Sequence, residues 1–305
     1  MNSITLNAYA KINLSLEIIG RRPNGYHDID SVMQGISLCD VITVSDNEEG
    51  ELICSFEGVK LYMSSDSNEM PFDESNLAIK GLKAVIREAK CRSITLPEAI
   101  AVRIDKRLPV AAGIAGGSGN AAGAMLGANA LLDEAFSLME LMDIGTGVGA
   151  DVPFSILMNA ARNREFLMKL SGIDDASVSA RATGIGEILV RTEPVKMSII
   201  MANPGIGVST KEVYEAIDSE EERIPERGLF FNRMEEYTLE AYPEASELKS
   251  EMSKHLRADK ILMSGSGPTI VAYYESIKVA EEDYSRVGSW LKAGWRAWLG
   301  VTGEE

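Results

Sequence analysis

Hydrophobic positions along the chain repeat with two different periods, which separate predicted strands from predicted helices. Runs rich in β-forming residues predict strands at 4–19, 40–44, 51–56, 99–110, 196–204, 260–265 and 269–274. Three- and four-residue spacing of apolar side chains predicts helices at 73–89, 209–217, 244–256 and 276–294. The expected caps are Asp73 or Ser75 for the first helix and Ser209 or Thr210 for the second. The elements follow no strict strand–helix–strand rhythm, which favours an α+β fold over a doubly wound sheet.

The length and composition are typical of a soluble globular protein with two domains. The chain has 305 residues, of which 45% are hydrophobic and 25% charged, and this is too long for one small core. Charged and small residues mix between 160 and 195, where we expect the domain junction. No segment approaches the roughly 18 apolar residues that span a bilayer, and the N-terminal segment lacks the pattern of a signal peptide. We therefore expect a cytoplasmic protein that does not contact a membrane.

The charge and the cysteines exclude several classes of function. The formal net charge of -16 argues against general nucleic-acid binding, because the sequence contains no cluster of basic residues that could contact a phosphate backbone. A small anionic substrate remains possible in a pocket whose local charge opposes the global one. Cys39, Cys54 and Cys91 stand far apart without a CxxC pair, which indicates neither a disulfide framework nor a zinc site.

A glycine-rich loop joins the predicted strand at 99–110 to an alanine-rich helix. The stretch LPVAAGIAGGSGNAAGAMLGANALL, residues 108–132, places four glycines within seven residues directly before this helix. Such a loop can present consecutive backbone N–H groups to a phosphate, and the helix N-terminus adds partial positive charge. A flexible turn before a tightly packed helix explains the composition equally well, and Gly123 and Gly127 indicate close packing against a neighbour.

The loop fits neither of the two commonest nucleotide-binding templates. No lysine follows the glycines as GxxxxGK[ST] requires, and Gly117-Ser118-Gly119 lacks the third glycine of GxGxxG. A nucleotide bound here would contact backbone amides and a serine, and any lysine would come from elsewhere in the chain.

Three stretches resemble the motifs of the GHMP kinases, a superfamily of small-molecule kinases. AYAKINLSLEIIG is similar to the first motif, PVAAGIAGGSGNAA to the second, which surrounds the ATP phosphates, and LMSGSGPTIVAYY to the third. The stretches NGYHDIDSV, GADVPF, GIGE and NPGIGVSTKEVY are similar to one branch that phosphorylates a cytidyl-diphosphate alcohol of the non-mevalonate isoprenoid pathway. The similarity runs in order from about residue 4 to 275. Tyr9 stands where the family usually has proline, and Gly119 where it usually has a second serine.

The resemblance implies a fold and a donor site. The implied fold is the two-domain α+β GHMP kinase fold, with a ribosomal protein S5 domain 2-like N-terminal domain at 1–165 and a ferredoxin-like C-terminal domain at 166–305. The implied cofactors are ATP and Mg²⁺. The phosphate loop would be formed by Pro109, Val110, Ala111, Ala112, Gly113, Ile114, Ala115, Gly116, Gly117, Ser118, Gly119 and Asn120. Ser118 carries the loop's hydroxyl and is the candidate to help hold the metal ion.

The resemblance also implies a catalytic pair, Lys11 and Asp151. Asp151 in GADVPF would act as the base toward the accepting hydroxyl. Lys11 lies in an apolar, strand-like segment, where a buried lysine needs an anionic partner, and Asp151 is the natural candidate. Asn13 lies on the same face as Lys11 in an extended strand and could bind a substrate hydroxyl. Without the motifs, a turn aspartate and a surface lysine are the simpler interpretations.

Tyr26 and His27 are the residues through which the resemblance implies a cytidyl substrate. Tyr26 would stack on the cytosine ring and His27 would hydrogen-bond its polar edge, since an aromatic face and an imidazole together can select one base. Considered alone, the pair is typical of a turn aromatic and an exposed histidine. Arg21, Arg22 and Arg107 are further cations that could steer a diphosphate.

The expected activity is ATP-dependent phosphorylation of the C2 hydroxyl of a cytidyl-diphosphate-linked methylerythritol. The expected partners are this small molecule and ATP, without nucleic acid or membrane, and the expected state is a monomer or weak homodimer. Two alternatives stay open. One is another GHMP kinase that acts on mevalonate or homoserine, and the other is an inactive member that binds ligands and regulates. The presence of both Lys11 and Asp151 argues against the inactive member.

Overall fold

The computed structural model describes residues 2–218 and 228–303, which form two β-sheets with helices packed against them. The described strands are β1 (Ser3–Arg21), β2 (His27–Ser45), β3 (Glu51–Phe56), β4 (Val59–Ser65), β5 (Ala99–Asp105), β6 (Ser179–Gly184), β7 (Ile188–Arg191), β8 (Ser198–Asn203), β9 (Phe231–Asn232), β10 (Lys260–Met263), β11 (Ile270–Tyr274) and β12 (Arg296–Val301). The described α-helices are α1 (Leu77–Cys91), α2 (Gly116–Leu131), α3 (Leu138–Thr146), α4 (Val152–Arg162), α5 (Thr210–Ile217), α6 (Glu235–Ala241), α7 (Pro243–His255) and α8 (Ile277–Tyr284). The predicted mixture of helices and strands without a strict strand–helix–strand rhythm is confirmed.

The larger sheet is built around one long antiparallel pair, β1 and β2. Its strand order is β3–β4–β5–β2–β1–β9, and β6 pairs with both β2 and β7. The segment 4–19 is therefore part of one 19-residue strand. The pairing of β1 with β2 shifts register between Tyr9 and Lys11 and again between Asn13 and Ser15. Such irregularities change the direction of side chains, and these two flank the predicted catalytic segment.

Helix α2 packs closely on the larger sheet because its small residues allow it. A Cβ at Gly123 would lie 2.5 Å from Cγ2 of Ile42, and one at Gly127 would lie 2.6 Å from Cγ2 of Val44. Both glycines are thus required by the approach of the helix to β2, which confirms the predicted close packing. The contact fixes the N-terminus of α2 beside β1.

The smaller sheet has the antiparallel order β10–β11–β8–β12. The helices predicted at 209–217 and 244–256 correspond to α5 and α7. Ser209 caps α5 by accepting a hydrogen bond from the backbone N–H of Glu212, as predicted.

Two helix boundaries differ from the prediction. Asn76 caps α1 by accepting from the N–H of Ala78, whereas Asp73 accepts from the N–H of Ser75 in the preceding turn. The predicted cap was therefore wrong, because a local side-chain turn already uses the Asp73 carboxylate. The helix predicted at 276–294 ends at Tyr284 and is followed by a short 3₁₀ turn at 287–289.

Cys39, Cys54 and Cys91 are free thiols, as predicted. Among the described helices, none has both the length and the apolar character needed to cross a membrane.

Candidate active site

One large cavity lies where β1, the N-terminus of α2 and α5 meet. Its volume is about 820 Å³. Side chains that the sequence analysis named in separate motifs line it together: Lys11, Asn13, Tyr26, His27, Ser118 and Asp151. The fold thus brings three predicted subsites to one cavity: one for the phosphates, one for catalysis and one for the cytosine ring.

Lys11 and Asp151 form an ion pair in this cavity. The Lys11 side chain is only 4% exposed, and its Nζ lies 3.4 Å from Oδ2 of Asp151. Asp151 directly precedes α4, yet its carboxylate makes no capping hydrogen bond to that helix. Because the carboxylate is 34% exposed and lines the cavity, it can contact a ligand while it neutralises the buried ammonium.

Asn13 connects this pair to the strand interior. Lys11 Nζ donates to Oδ1 of Asn13 at 2.9 Å, and Nδ2 of Asn13 donates to Oγ of Ser31 at 2.8 Å. Ser31 in turn donates to the carbonyl of Ser15 at 2.6 Å. The prediction that Lys11 and Asn13 share a face is confirmed, and the chain of bonds fixes the orientation of the Asn13 amide.

The phosphate loop presents an uncapped helix N-terminus to the cavity. Ala115 is the N-cap residue of α2, in a left-handed conformation (φ 54°), and no side chain caps the helix. The first turn carries no acidic residue, so nothing competes for its unpaired N–H groups. Such a terminus suits a phosphate group.

The predicted loop residues divide into two groups. Those that line the cavity are Val110, Ala111, Ala112, Gly113, Ala115, Gly116, Gly117, Ser118 and Asn120. Pro109, Ile114 and Gly119 lie outside the lining. Ile114 is fully buried in the core, and a Cβ at Gly119 would lie 2.7 Å from the carbonyl oxygen of Tyr9. These two residues therefore support the loop from behind.

A second glycine loop, in the third motif, contacts the first. Ser264 Oγ donates to the carbonyl of Gly113 at 3.0 Å. Gly265 and Ser266 line the cavity, and Ser266 Oγ lies 2.8 Å from Oγ1 of Thr210 at the start of α5. The loop therefore connects the phosphate loop to α5.

Lys106 is a cation of this site that the sequence analysis missed. Its side chain is 6% exposed and its Nζ lies 2.5 Å from Oδ2 of the fully buried Asp40. The other oxygen of Asp40 accepts from the N–H groups of Arg107 and Leu108. Lys106 lines the cavity, and its Nζ lies 3.9 Å from the position of a Cβ on Gly116. The lysine that the loop itself lacks thus comes from the end of β5.

The predicted base subsite consists of Tyr26, His27 and a residue the sequence analysis did not assign, Tyr214. Tyr26 is 58% exposed and His27 is 8% exposed, so His27 is not the surface histidine of the simpler interpretation. The His27 ring stacks on Tyr214 with 4.4 Å between centroids and 11° between planes. Burial, with a smaller contribution from the Asp151 carboxylate, raises the pKa of the Tyr214 hydroxyl to about 12. Tyr214 therefore stays uncharged at neutral pH; its only signal in the sequence was the stretch NPGIGVSTKEVY.

Asp218 contacts two of the predicted residues at once. Its Oδ1 lies 2.6 Å from Nε2 of His27, and its Oδ2 lies 3.2 Å from Nη1 of Arg21. Arg21 lines the cavity, whereas Arg22 and Arg107 do not. Of the three arginines considered for a diphosphate, Arg21 alone is therefore placed at the cavity.

The donor set suits a phosphate-bound cation better than an ion held by the protein alone. Within 2–218 and 228–303, no group of three or more His, Cys, Asp or Glu side chains could hold a metal ion. Oδ1 of Asn120 is buried without a hydrogen-bond partner among the described residues, and both Ser118 and Asn120 line the cavity. Magnesium characteristically takes one or two protein ligands together with substrate phosphates, and these residues fit that role.

Comparison with known proteins agrees with this geometry. Residues 76–159 match the family model for the GHMP kinases N terminal domain. A 4-diphosphocytidyl-2-C-methyl-D-erythritol kinase from Alkaliphilus metalliredigens is 33% identical, covering 94% of this chain and 93% of the relative. One from Geobacillus kaustophilus is 34% identical, covering 89% and 88%.

Solved structures give the same result. A crystal structure of 4-(cytidine 5'-diphospho)-2C-methyl-D-erythritol kinase superposes with a TM-score of 0.72 at 26% identity, covering 99% of this chain and 100% of the other. A homoserine kinase from Cytophaga hutchinsonii has a TM-score of 0.64 at 14% identity, covering 100% and 96%, which shows a shared fold alone. With its motifs in order and this identity over nearly its whole length, the chain belongs to the 4-diphosphocytidyl-2-C-methyl-D-erythritol kinase family of the GHMP kinases.

Proposed function

We propose that this enzyme phosphorylates the C2 hydroxyl of 4-diphosphocytidyl-2-C-methyl-D-erythritol at the Lys11–Asp151 pair. The observation that carries the proposal is the placement of this pair in one cavity with the phosphate loop and with the Tyr26–His27 subsite. Family membership supports the reaction, and the geometry supports the roles of the residues.

Asp151 would orient the accepting hydroxyl and take its proton, because its carboxylate faces the cavity and is not used to cap α4. Lys11 would stabilise the negative charge that develops on the oxygen, because its ammonium is held beside Asp151 at low exposure. Asn13, which the ammonium contacts, would bind a neighbouring hydroxyl of the substrate.

The phosphate loop and Lys106 would hold the donor. Bound ATP with its magnesium ion supplies the phosphoryl group and partly neutralises its charge. The first-turn N–H groups of α2 would contact phosphate oxygens, and Ser118 would offer its hydroxyl to the metal ion. Lys106 adds the positive charge that a phosphate site needs in an acidic protein.

Tyr26 and Tyr214 would contact the faces of the cytosine, and His27 would contact its edge. The exposed ring of Tyr26 and the half-buried ring of Tyr214 both line the cavity. Aromatic faces favour a flat heterocycle, and this subsite distinguishes a cytidyl substrate from mevalonate or homoserine, which have no base.

We also propose that residues 1–165 and 166–305 are the two domains, the first S5 domain 2-like and the second ferredoxin-like. The antiparallel sheet β10–β11–β8–β12 lies wholly in the second range, which supports the proposal. β6 and β7 also follow residue 165 but pair into the larger sheet.

A coupled assay of ADP release tests the function. Purified enzyme is offered ATP with the cytidyl alcohol, mevalonate or homoserine in parallel. Turnover of the cytidyl alcohol alone is expected. Turnover of mevalonate or homoserine instead would refute the substrate assignment, and no turnover of any alcohol would favour a ligand-binding regulator.

Asp151→Asn tests the role of the base. This variant keeps the size and hydrogen-bonding shape of the side chain but removes the proton acceptor, so kcat should fall about 10²- to 10⁴-fold. ATP affinity, measured by calorimetry, should stay within a few-fold. An unchanged kcat would show that Asp151 is not the base.

A further inference from the structure

Asp218 holds the imidazole of His27 from a distant part of the chain. The two residues are 191 positions apart, and Oδ1 of Asp218 lies 2.6 Å from Nε2 of His27. The opposite constraint comes from Tyr214, whose ring stacks on the imidazole at 4.4 Å. A ring held on one face and at one nitrogen has a fixed orientation.

The second oxygen of Asp218 prevents the carboxylate from turning away. It lies 3.2 Å from Nη1 of Arg21, the last residue of the β1 strand that carries Lys11. The carboxylate is 22% exposed and belongs to the last turn of α5, where it is the C-cap residue. It therefore has one oxygen for each of its two partners.

A carboxylate at Nε2 determines which nitrogen of a neutral imidazole carries the proton. An ionised carboxylate only accepts hydrogen bonds, so Nε2 must be the donor. A neutral ring then has its lone pair on Nδ1 and can accept one hydrogen bond there. Cytosine carries an exocyclic amine that donates, whereas uracil has a carbonyl oxygen at the same place, which accepts.

We propose that Asp218 is a positioning residue that holds His27 as the Nε2–H tautomer and so makes the subsite select a cytidyl over a uridyl group. This inference rests on the proposed function, in which His27 contacts the edge of the base. It adds a residue that lines the same cavity and would act on the choice between two pyrimidines through His27.

The tautomer can be measured without any substrate. The chain contains only two histidines, so ¹⁵N-histidine labelling gives two imidazole spin systems, and His255→Gln assigns them. At a pH where the spectrum shows a neutral ring, His27 should show the Nε2–H pattern in the unmodified protein. In Asp218→Ala it should become a mixture of tautomers. A predominantly Nδ1–H ring in the unmodified protein, or an unchanged pattern in Asp218→Ala, would overturn the proposal.

Steady-state kinetics test the consequence for substrate choice. Asp218→Ala should lower the preference for the cytidyl over the matching uridyl alcohol, taken as the ratio of kcat/KM values, by about 10- to 100-fold, the cost of a mismatched buried hydrogen bond. The change should appear in the KM of the cytidyl alcohol, with the KM of ATP unchanged. Asp218→Asn keeps an oxygen that can accept from Nε2–H and should recover part of the preference.

Asp30→Asn is the matched control. Asp30 pairs with Arg181 at 2.5 Å on the same strand as His27, and neither residue lines the cavity. This variant should keep the tautomer and the preference. An equal loss in Asp30→Asn, or a kcat effect in Asp218→Ala without a KM effect, would refute positioning. Inactivity of the unmodified enzyme toward the cytidyl alcohol would refute the proposed function instead, while the tautomer would still decide the role of Asp218.

Discussion

Replacement of Lys11 by methionine is the most direct test of the catalytic pair. The side chains have similar length, so Lys11→Met removes the charge and little volume. The 3.4 Å separation from Asp151 corresponds to about 5 kcal/mol of attraction at an effective dielectric constant of 20, and to about 1 kcal/mol in bulk water. Because Asp151 is one-third exposed, its interaction lies between these limits. The Lys11 ammonium should stabilise an oxyanion that forms beside it by an energy of similar size.

The expected loss in kcat is about 10²- to 10³-fold, the range seen when one donor to a developing oxyanion is removed. Stability should change little, because the variant also removes the cost of burying an ammonium, and because water can still reach Asp151. The amide oxygen of Asn13 loses the hydrogen bond that it accepts from Lys11, which costs about 1 kcal/mol of unfolding free energy, or a few degrees in Tm. The assay is initial-rate ADP release, with Tm measured on the same samples.

Lys60→Met is the control for this experiment. Lys60 also lies on a strand and pairs with Glu48 at 2.6 Å, but it is half exposed and lies outside the cavity. Its removal should leave kcat unchanged. A Lys11→Met enzyme with a kcat within threefold of the unmodified value would show that the ammonium has no role in the chemical step.

Two further predictions concern stability and its pH dependence. Gly119→Ala places a Cβ 2.7 Å from the carbonyl oxygen of Tyr9 and should lower the free energy of unfolding by about 1–3 kcal/mol, measured by denaturant titration. The control Gly288→Ala, where nothing lies within 4 Å of the new Cβ, should change it little. Equal effects of the two variants would contradict the reasoning. Burial raises the pKa of Glu134 to about 7, so its protonated form stabilises the fold at low pH and this contribution is lost as pH rises through 7. Glu134→Gln, which still accepts from Asn129, should therefore be more stable than the unmodified protein by roughly 1 kcal/mol at pH 8.5 but not at about pH 4, which is below the ordinary pKa of a glutamate. A gain equal at both pH values would contradict the assignment to ionisation.

The hydrophobic pattern and the motifs predict the local parts of the site. The two-residue spacing of Lys11 and Asn13 placed them on one face, and the structure joins them by a 2.9 Å hydrogen bond. The need of Lys11 for an anionic partner was also predictable, because a buried ammonium requires an anion, whereas the choice of Asp151 came from the resemblance of GADVPF to the family motif. The first inference uses only the two-residue period of a strand, and the second uses only the charge of one buried side chain.

Contacts between distant segments were not predictable in this way. Asp40 and Lys106 are 66 positions apart, and the sequence around each of them is typical of a strand end. Their contact requires β2 and β5 to pair in register, with Val41 opposite Asp105. A period reports which residues share a face of one element, but it does not report which two elements meet. The same reason explains why Tyr214 and Asp218, on α5, were not assigned to the base subsite.

The contacts behind the phosphate loop explain how it can attract phosphate without a lysine of its own. The carbonyl of Gly113 accepts from Ser264 at 3.0 Å, and that of Ile114 accepts from the backbone N–H of Lys11 at 3.1 Å. In a trans peptide the N–H group points opposite to the carbonyl. The N–H groups of Ile114 and Ala115 are therefore turned away from both partners.

This geometry also explains why position 113 must be glycine. A Cβ there would lie 2.3 Å from the carbonyl oxygen of Ser264, and φ is +72°, so both space and conformation exclude a side chain. A larger residue would push the second glycine loop away and release the Gly113 carbonyl from Ser264. The peptide between Gly113 and Ile114 could then rotate, and the N–H of Ile114 would no longer be held pointing away from Ser264. The orientation of these two peptide planes thus depends on β1 and the second glycine loop, which contact them from opposite ends of the sequence.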